Sequence, residues 1–398
     1  MLMLAERYRD EMYDFMGMVL REIGPRESCS TAERMLGERV AELWRSMGHD
    51  VRTHSFECHP KAFLGFIPLA SLLYLFATVA YWRYPPVCVV LAGAALLMTI
   101  LEIVRYREFT DPFFPKKEGT NVIGAIRPKG EIKRRVIVSA HLDSAYEFNL
   151  WFLCKNAALP IMLIAFIAPI LPLLGGLAKL TFAGATTGPV FETLGWVCTG
   201  LCPIVALNLF FHTYRVVPGA GDDLAGIAVL NGVAWAFSEN AGTEALALEH
   251  TEVLLLATSS EEAGLRGAKR YVAAFQDDLR ALPTCGLFLD GVYDERFLTV
   301  VDRELGTGAK HDAQLVAMAQ DIAKRHGWPM GKHMIPFGAS DASAFAKAGI
   351  RSTCFLCQDV SRLVPEYHTR LDTLDRVRPQ SLAVTLQLVL TMIERLDG

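Results

Sequence analysis

Four stretches of this chain contain no Asp, Glu, Lys or Arg: Phe63–Trp82, Tyr84–Leu101, Ala158–Ala178 and Thr193–Phe211. Each is close to the roughly 20 residues that a helix needs to cross a bilayer core. Helices in a soluble core rarely stay uncharged over that length, and four of them in one chain of 398 residues are harder still to bury together. All 39 Lys and Arg and all 43 Asp and Glu lie outside these stretches. The remainder then carries about a quarter charged residues, as soluble domains do. A composition of 52% hydrophobic and 21% charged residues is therefore read as two materials: a soluble domain and about four transmembrane helices. Pro160, Pro169 and Pro172 interrupt the third stretch, which leaves a kinked span and a re-entrant segment both open.

The stretches come in two pairs. Only Arg83 separates the first two, so they read as a helical hairpin. The second two are joined by Lys179–Glu192, rich in Gly and Thr. A hairpin leaves and returns on one side, so the flanking soluble pieces can assemble into one domain. The expected layout is a catalytic domain in three parts (1–60, 108–150 and 212–398) interrupted by hairpins at 61–107 and 151–211. Lys61, Arg105, Arg107, Lys155 and Arg215 flank the domain side, against Arg83 and Lys179 on the far side. By the positive-inside rule, an integral membrane protein with a cytoplasmic catalytic domain is expected.

Several classes are excluded. There is too much apolar material for a disordered chain. A net charge of −4 and a pI near 6.2 do not mark a nucleic-acid binder. Met1–Asp14 is acidic and reads as an amphipathic helix rather than a signal peptide. Nine cysteines show no framework spacing, which suits a reducing compartment, and Cys354 and Cys357 read as buried strand thiols.

The soluble pieces alternate helix and strand. Ala32–Met47 has helical spacing, with Ser30 or Thr31 as its cap. Val51–Phe56, Asn121–Ile126, Val136–Ala140, Val253–Thr258, Cys285–Leu289 and Ser352–Leu356 read as strands. Leu224–Ser238, Gly264–Phe275, Ala313–His326 and Pro379–Leu396 read as helices. Short apolar strands between helices predict an α/β fold, a mostly parallel mixed sheet with helices on both faces.

Chemistry-bearing residues gather where such sheets place their sites, just past strand carboxyl ends. Val136–Ala140 runs into His141-Leu142-Asp143-Ser144, and Val253–Thr258 into Ser259-Ser260-Glu261-Glu262. Cys285–Leu289 ends in Asp290. A Gly-rich turn carries Asp222-Asp223, and a late loop carries Tyr367-His368-Thr369. Singly, each has a plain explanation: the Asp pair caps a helix, the Glu pair fills a helix first turn, and His368 is a loop histidine. Together they offer two imidazoles and three carboxylates, a set that suits two zinc-like ions sharing a bridging carboxylate. Glu261 is then left over to move a proton while Glu262 holds metal. Asp143, two residues after His141, is placed to orient its imidazole.

In order along the chain stand His-Leu-Asp-Ser, Gly-Asp-Asp-Leu-Ala-Gly, Ser-Glu-Glu-Ala-Gly-Leu-Arg-Gly, Leu289-Asp290, Ser340-Asp341 and Tyr-His-Thr-Arg-Leu-Asp-Thr. This ordered set resembles the M28 family of di-zinc aminopeptidases and related hydrolases. The resemblance implies one zinc on His141 and Asp290, the other on Glu262 and His368, and Asp222 as the bridge. It implies Glu261 as general base and Tyr367 as the donor that stabilises the oxyanion. Cobalt or manganese could replace zinc at such a site. Two departures stand out. His141 and Asp222 are 81 residues apart where the family has a dozen or so, and the family's Ser-Asp-His reads Ser340-Asp341-Ala342.

Other motifs fail. There is no Gly-x-Ser-x-Gly elbow. Gly327–His333 is one residue short of a phosphate loop. His49, His54, His59, His212, His250, His311, His326 and His333 lie in no ligand motif and read as structural or surface residues.

The expected function is a membrane-anchored metallo-aminopeptidase acting on peptides. The second hairpin leaves just after His141, so the site is expected beside the bilayer, favouring amphipathic substrates. An amidase acting on N-acyl lipids or amino acids with the same metals, and a non-catalytic membrane scaffold, are the alternatives. A complete ligand set speaks against the scaffold. It also speaks against a single-metal glutaminyl cyclase of the same fold.

Overall fold

The computed structural model describes residues 2–182, 188–238, 246–360 and 364–398. Residues 183–187, within the expected Lys179–Glu192 connection, lie outside them. The chain divides into two compact units. One comprises Met1–Pro60, Lys116–Tyr146 and Val216–Gly398, and the other Lys61–Pro115 and Glu147–Arg215.

The first unit is built on a nine-stranded sheet: β1 (Asp50–Cys58), β2 (Lys117–Ile126), β3 (Arg134–His141), β4 (Thr251–Thr258), β5 (Thr284–Val292), β6 (Leu298–Glu304), β7 (Ala309–Lys310), β8 (Gly331–Ile335) and β9 (Arg351–Cys357). The order is β1-β2-β4-β3-β5-β9-β6-β7, with β8 also paired to β6. The central four, β4, β3, β5 and β9, are parallel. The pairs β1–β2, β2–β4, β6–β9 and β6–β7 are antiparallel.

Strand side chains alternate between faces, and both faces are buried. Val136, Val138 and Ala140 of β3, with Val253, Leu255 and Ala257 of β4, enter the larger core. Helices Arg9–Glu22, Thr31–Ser46, Ala225–Ala236 and Pro379–Asp397 contribute to that core. Ile137, Leu254 and Leu256 point the other way, into a smaller core with helices Arg266–Ala281 and Ala342–Lys347. Burial on both sides is why these strands read as unbroken apolar runs. Cys354 lies in the smaller core and Cys357 in the larger, so this pair is split across the sheet.

Local signals act as their chemistry dictates. Ser30 caps Thr31–Ser46 by accepting from the Glu33 amide. The N-terminal helix is two pieces, Leu2–Arg7 and Arg9–Glu22. The expected helix from Gly264 begins instead at Arg266 and runs to Ala281. Strands β6, β7 and β8 were not expected from the sequence. β7 has two residues, and β8 is largely exposed, so neither shows an apolar run.

Among the described residues, the second unit holds four helices long and apolar enough to cross a membrane: Ala62–Arg83, Pro85–Val104, Asn149–Thr181 and Pro189–Phe210. The third is broken where Ala158–Ile167 gives way to Ile170–Thr181 at Ala168–Pro169, because proline cannot supply the helical amide. Close packing uses small residues: a Cβ on Gly175 or Gly195 would run into Tyr81. Tyr74 Oη donates to the Cys198 carbonyl (2.8 Å) and Tyr81 Oη to that of Phe191 (2.9 Å). Large apolar side chains, among them Phe76, Val79, Val90 and Trp196, face outward. An apolar exterior over a polar-bonded interior suits a lipid solvent.

Candidate metal centre

Three parallel strands deliver the site at their carboxyl ends. β3 ends in His141, β4 leads through Ser259 and Ser260 to Glu261 and Glu262, and β5 carries Asp290. The β5–β9 register slips between Leu289 and Val292, an irregularity of the kind that re-aims side chains. Asp222 sits in the turn before helix Ala225–Ala236, and the Asp222–Asp223 peptide is cis. His368 comes from the loop before Pro379–Asp397 and has a positive φ of 51°.

The sequence-predicted residues converge. Ligand atoms of His141, Asp222 and Asp290 lie within 4.8 Å of one another, as do those of Asp222, Glu262 and His368. Glu261 joins His141 and Glu262 in a third such group. Asp222 lies between the two histidines, its Oδ1 3.1 Å from His141 Nε2 and its Oδ2 3.3 Å from His368 Nε2. His368 Nε2 is also 3.3 Å from Glu262 Oε2. The Tyr367 ring stacks on the His368 imidazole at 3.9 Å between centroids. A cavity of about 10 Å³, on the scale of one water, is lined by Ser139, His141, Glu261, Asp290 and Asp341 among others.

Asp143 organises the floor. Its Oδ1 accepts from the Glu261 amide (3.0 Å), and its Oδ2 accepts from the Glu262 amide (3.1 Å) and from Ser28 Oγ. His141 Nδ1 is 3.1 Å from the Asp143 carbonyl oxygen and 3.4 Å from its Oδ1, which leaves Nε2 to face Asp222.

Three supporting residues escaped the sequence reading. Asp372 accepts from the amides of Gly221 (2.8 Å) and Asp222 (3.2 Å) and so holds the turn. Its only signal was its place in the motif that starts at Tyr367. Arg26, fully buried, donates to the carbonyls of Leu142, Pro218 and Gly219, tying the β3 end to the Asp222 turn. Glu33 accepts from the amides of Cys29 and Ser260. Neither Arg26 nor Glu33 belongs to a motif. Gly221 is required because a Cβ there would strike the Tyr293 ring.

The electrostatics call for a cation. Burial and mutual repulsion push Glu261, Glu262 and Asp290 well above the usual carboxylate range. Burial opposes ionisation of Asp222 too, yet its hydrogen bonds to His141 and His368 hold it below its ordinary value. Glu262 Oε1 is a buried acceptor with no hydrogen-bond partner among the described residues. Imidazole nitrogens with carboxylate oxygens are a donor set for zinc. The residues therefore fit such an ion.

A family model described as Peptidase family M28 matches residues 206–393. Over this segment the chain is similar to peptidase family M28. It contains Asp222, Glu261, Glu262, Asp290, Tyr367 and His368, while His141 and Asp143 precede it. The fold extends the likeness over the rest of the chain. An aminopeptidase from Aneurinibacillus sp. strain AM-1 superposes with a TM-score of 0.57 at 15% identity, covering 97% of this chain and 93% of that one. BSAP, a zinc aminopeptidase from Bacillus subtilis, gives 0.56 at 15%, covering 96% and 93%. A glutaminyl cyclase from Fimbriiglobus ruber gives 0.56 at 13%, covering 96% and 93%. No curated protein sequence matches. The chain thus has the fold of zinc aminopeptidases, and its residues 206–393 carry the match to peptidase family M28.

Proposed function

We propose that this protein is a membrane-anchored aminopeptidase with two zinc ions. One ion would be held by His141 and Asp290, the other by Glu262 and His368, with Asp222 shared. The observation that carries this reading is Asp222, whose two oxygens face two histidines on opposite sides. When bound, such ions act as Lewis acids that acidify water and polarise a carbonyl.

The chain's own groups do the rest. Glu261, raised by burial, takes the proton of the attacking water and returns it to the leaving amine. Tyr367, stacked on His368, donates its hydroxyl to the carbonyl oxygen as negative charge develops there. Asp143 fixes the tautomer of His141 and the backbone of both glutamates.

The four apolar helices support membrane anchoring, and the excess of Lys and Arg at the domain-side ends supports a cytoplasmic catalytic unit. The apolar unit opens at Glu147, six residues after His141, and closes at Arg215, seven before Asp222. Such short tethers favour hydrophobic or amphipathic peptides presented beside a bilayer. The testing experiment combines metal analysis with a panel of amides varied in N-terminal group and acyl chain. A free α-amine should be required, two zinc equivalents should bind, and hydrophobic substrates in detergent should turn over faster than short soluble aminoacyl amides. Faster cleavage of N-acylated lipids would replace the aminopeptidase with the amidase. Equal efficiency on soluble and acylated amides would remove the bilayer from the account.

A further inference from the structure

Behind the Ser260–Glu262 loop, two cysteines that are 29 positions apart in the chain meet. Cys29 Sγ lies 3.3 Å from Cys58 Sγ and 3.1 Å from Ser260 Oγ. Neither is in a disulfide, and Cys29 is partly exposed while Cys58 is buried. Cys58 is the last residue of β1, so its backbone is fixed by pairing with Lys117. Cys29 stands in the loop before helix Thr31–Ser46, its amide donating to Glu33 Oε2 (2.7 Å). The other oxygen of that carboxylate accepts from the Ser260 amide (2.8 Å). The residue before Cys29, Ser28, donates to Asp143. The thiol pair is thus wired to the residues that hold Glu261 and Glu262.

The geometry points to a reversible dithiol–disulfide site at Cys29 and Cys58, with a peroxide as oxidant, whose oxidation stiffens the loop bearing the two glutamates. The sulfurs need close only from 3.3 Å to the bonded distance of about 2.05 Å. In the first step the Cys29 sulfur attacks a peroxide oxygen. The O–O bond breaks, Cys29 becomes a sulfenic acid, and the thiol proton leaves in a molecule of water. In the second, Cys58 attacks the sulfenic sulfur, the S–O bond breaks, and its thiol proton leaves in a second water. One peroxide is reduced and two thiols are oxidised. Cys29 is the more exposed of the two sulfurs and so meets the peroxide, and the buried Cys58 beside it resolves the sulfenic acid. The disulfide would staple the loop at Cys29 to the fixed end of β1 and so restrict Ser260.

The test uses the full chain in detergent, treated with hydrogen peroxide, then alkylated and digested without reductant. A cross-linked Cys29–Cys58 peptide is expected, with two fewer alkylatable thiols than the nine of the reduced chain, and dithiothreitol restores all nine. Deuterium uptake at the Ser260–Glu262 amides falls at least twofold on oxidation. Cys58→Ser, under the same treatment, leaves Cys29 as a sulfenic acid that dimedone traps. Nine alkylatable thiols after peroxide, or Cys29 carried to a sulfinic acid without a cross-link, overturns the proposal. A cross-link with unchanged deuterium uptake overturns its coupling to the glutamate loop. None of these readings depends on the bound metal or on activity.

Discussion

Asp222 and Glu261 are both buried carboxylates, and their surroundings give them opposite characters. His141 and His368 flank Asp222 and keep it ionised, whereas burial, helped by the acids around it and opposed by His141, pushes Glu261 toward protonation. A shared ligand needs the first character and a proton carrier the second. Glu261→Gln keeps the shape and the backbone bond to Asp143 but loses the titrating oxygen. Metal content by mass spectrometry should therefore stay near that of the wild type while turnover drops roughly 10²–10⁴-fold. His368→Ala should lose metal together with activity, because it removes an imidazole within 3.3 Å of both Asp222 and Glu262. A Glu261→Gln protein with undiminished turnover would remove the assigned base. At this scale the sequence was informative, since strand-end motifs mark side chains that must converge if the strands are parallel. Arg26 was not legible. Its work is done by a guanidinium that reaches carbonyls more than 100 residues away, and no local pattern encodes that.

At the scale of elements, β4 has a support at its far end as well. β4 carries Glu261 and Glu262 beyond its carboxyl end, and its start is pinned by Asp397 of the last helix. That carboxylate accepts from the amides of Glu249 (2.7 Å), His250 (2.9 Å) and Thr251 (2.9 Å). Burial opposes its ionisation, but these bonds win and depress its pKa. A carboxyl with a depressed folded value contributes stability above its unfolded pKa of about 3.9 and loses it as pH falls through the folded value. Asp397→Asn should accordingly lower the melting temperature at pH 7, with the gap closing as pH falls below the ordinary carboxyl range. A pH-independent difference would mean that the charge plays no part. The central parallel strands were legible because both faces are buried, so nearly every residue is apolar. β6, β7 and β8 were not, for physical reasons. β6 ends in the polar run Asp302-Arg303-Glu304, β7 is a two-residue pairing, and β8 lacks a buried face.

For the molecule as a whole, the decisive fact is how the apolar unit is spliced into the catalytic one. Its first segment, Lys61–Pro115, interrupts the chain between β1 and β2, and these strands pair antiparallel up to Cys58 and Lys117. Its second segment, Glu147–Arg215, departs after Tyr146, which bridges antiparallel to Val216, and the Val217 amide donates to the Ala145 carbonyl (2.9 Å). At both splices the catalytic chain leaves and re-enters side by side, as at the mouth of a hairpin. The sheet, both of its cores and every proposed ligand belong to the catalytic unit. Closing a short turn costs less entropy than closing a long loop, so the insertions are not needed to bring the ends together. A chain in which Lys61–Pro115 and Glu147–Arg215 are each replaced by a short Gly–Asn turn should therefore be soluble without detergent. It should melt cooperatively and bind zinc as the full chain does. Its activity on short soluble peptides should persist, while any preference for hydrophobic substrates in detergent or vesicles should disappear. Retention of that preference would place its origin in the catalytic unit itself. A replacement chain that binds zinc but fails on all peptides would assign the apolar helices a part in building the substrate site, beyond anchoring it.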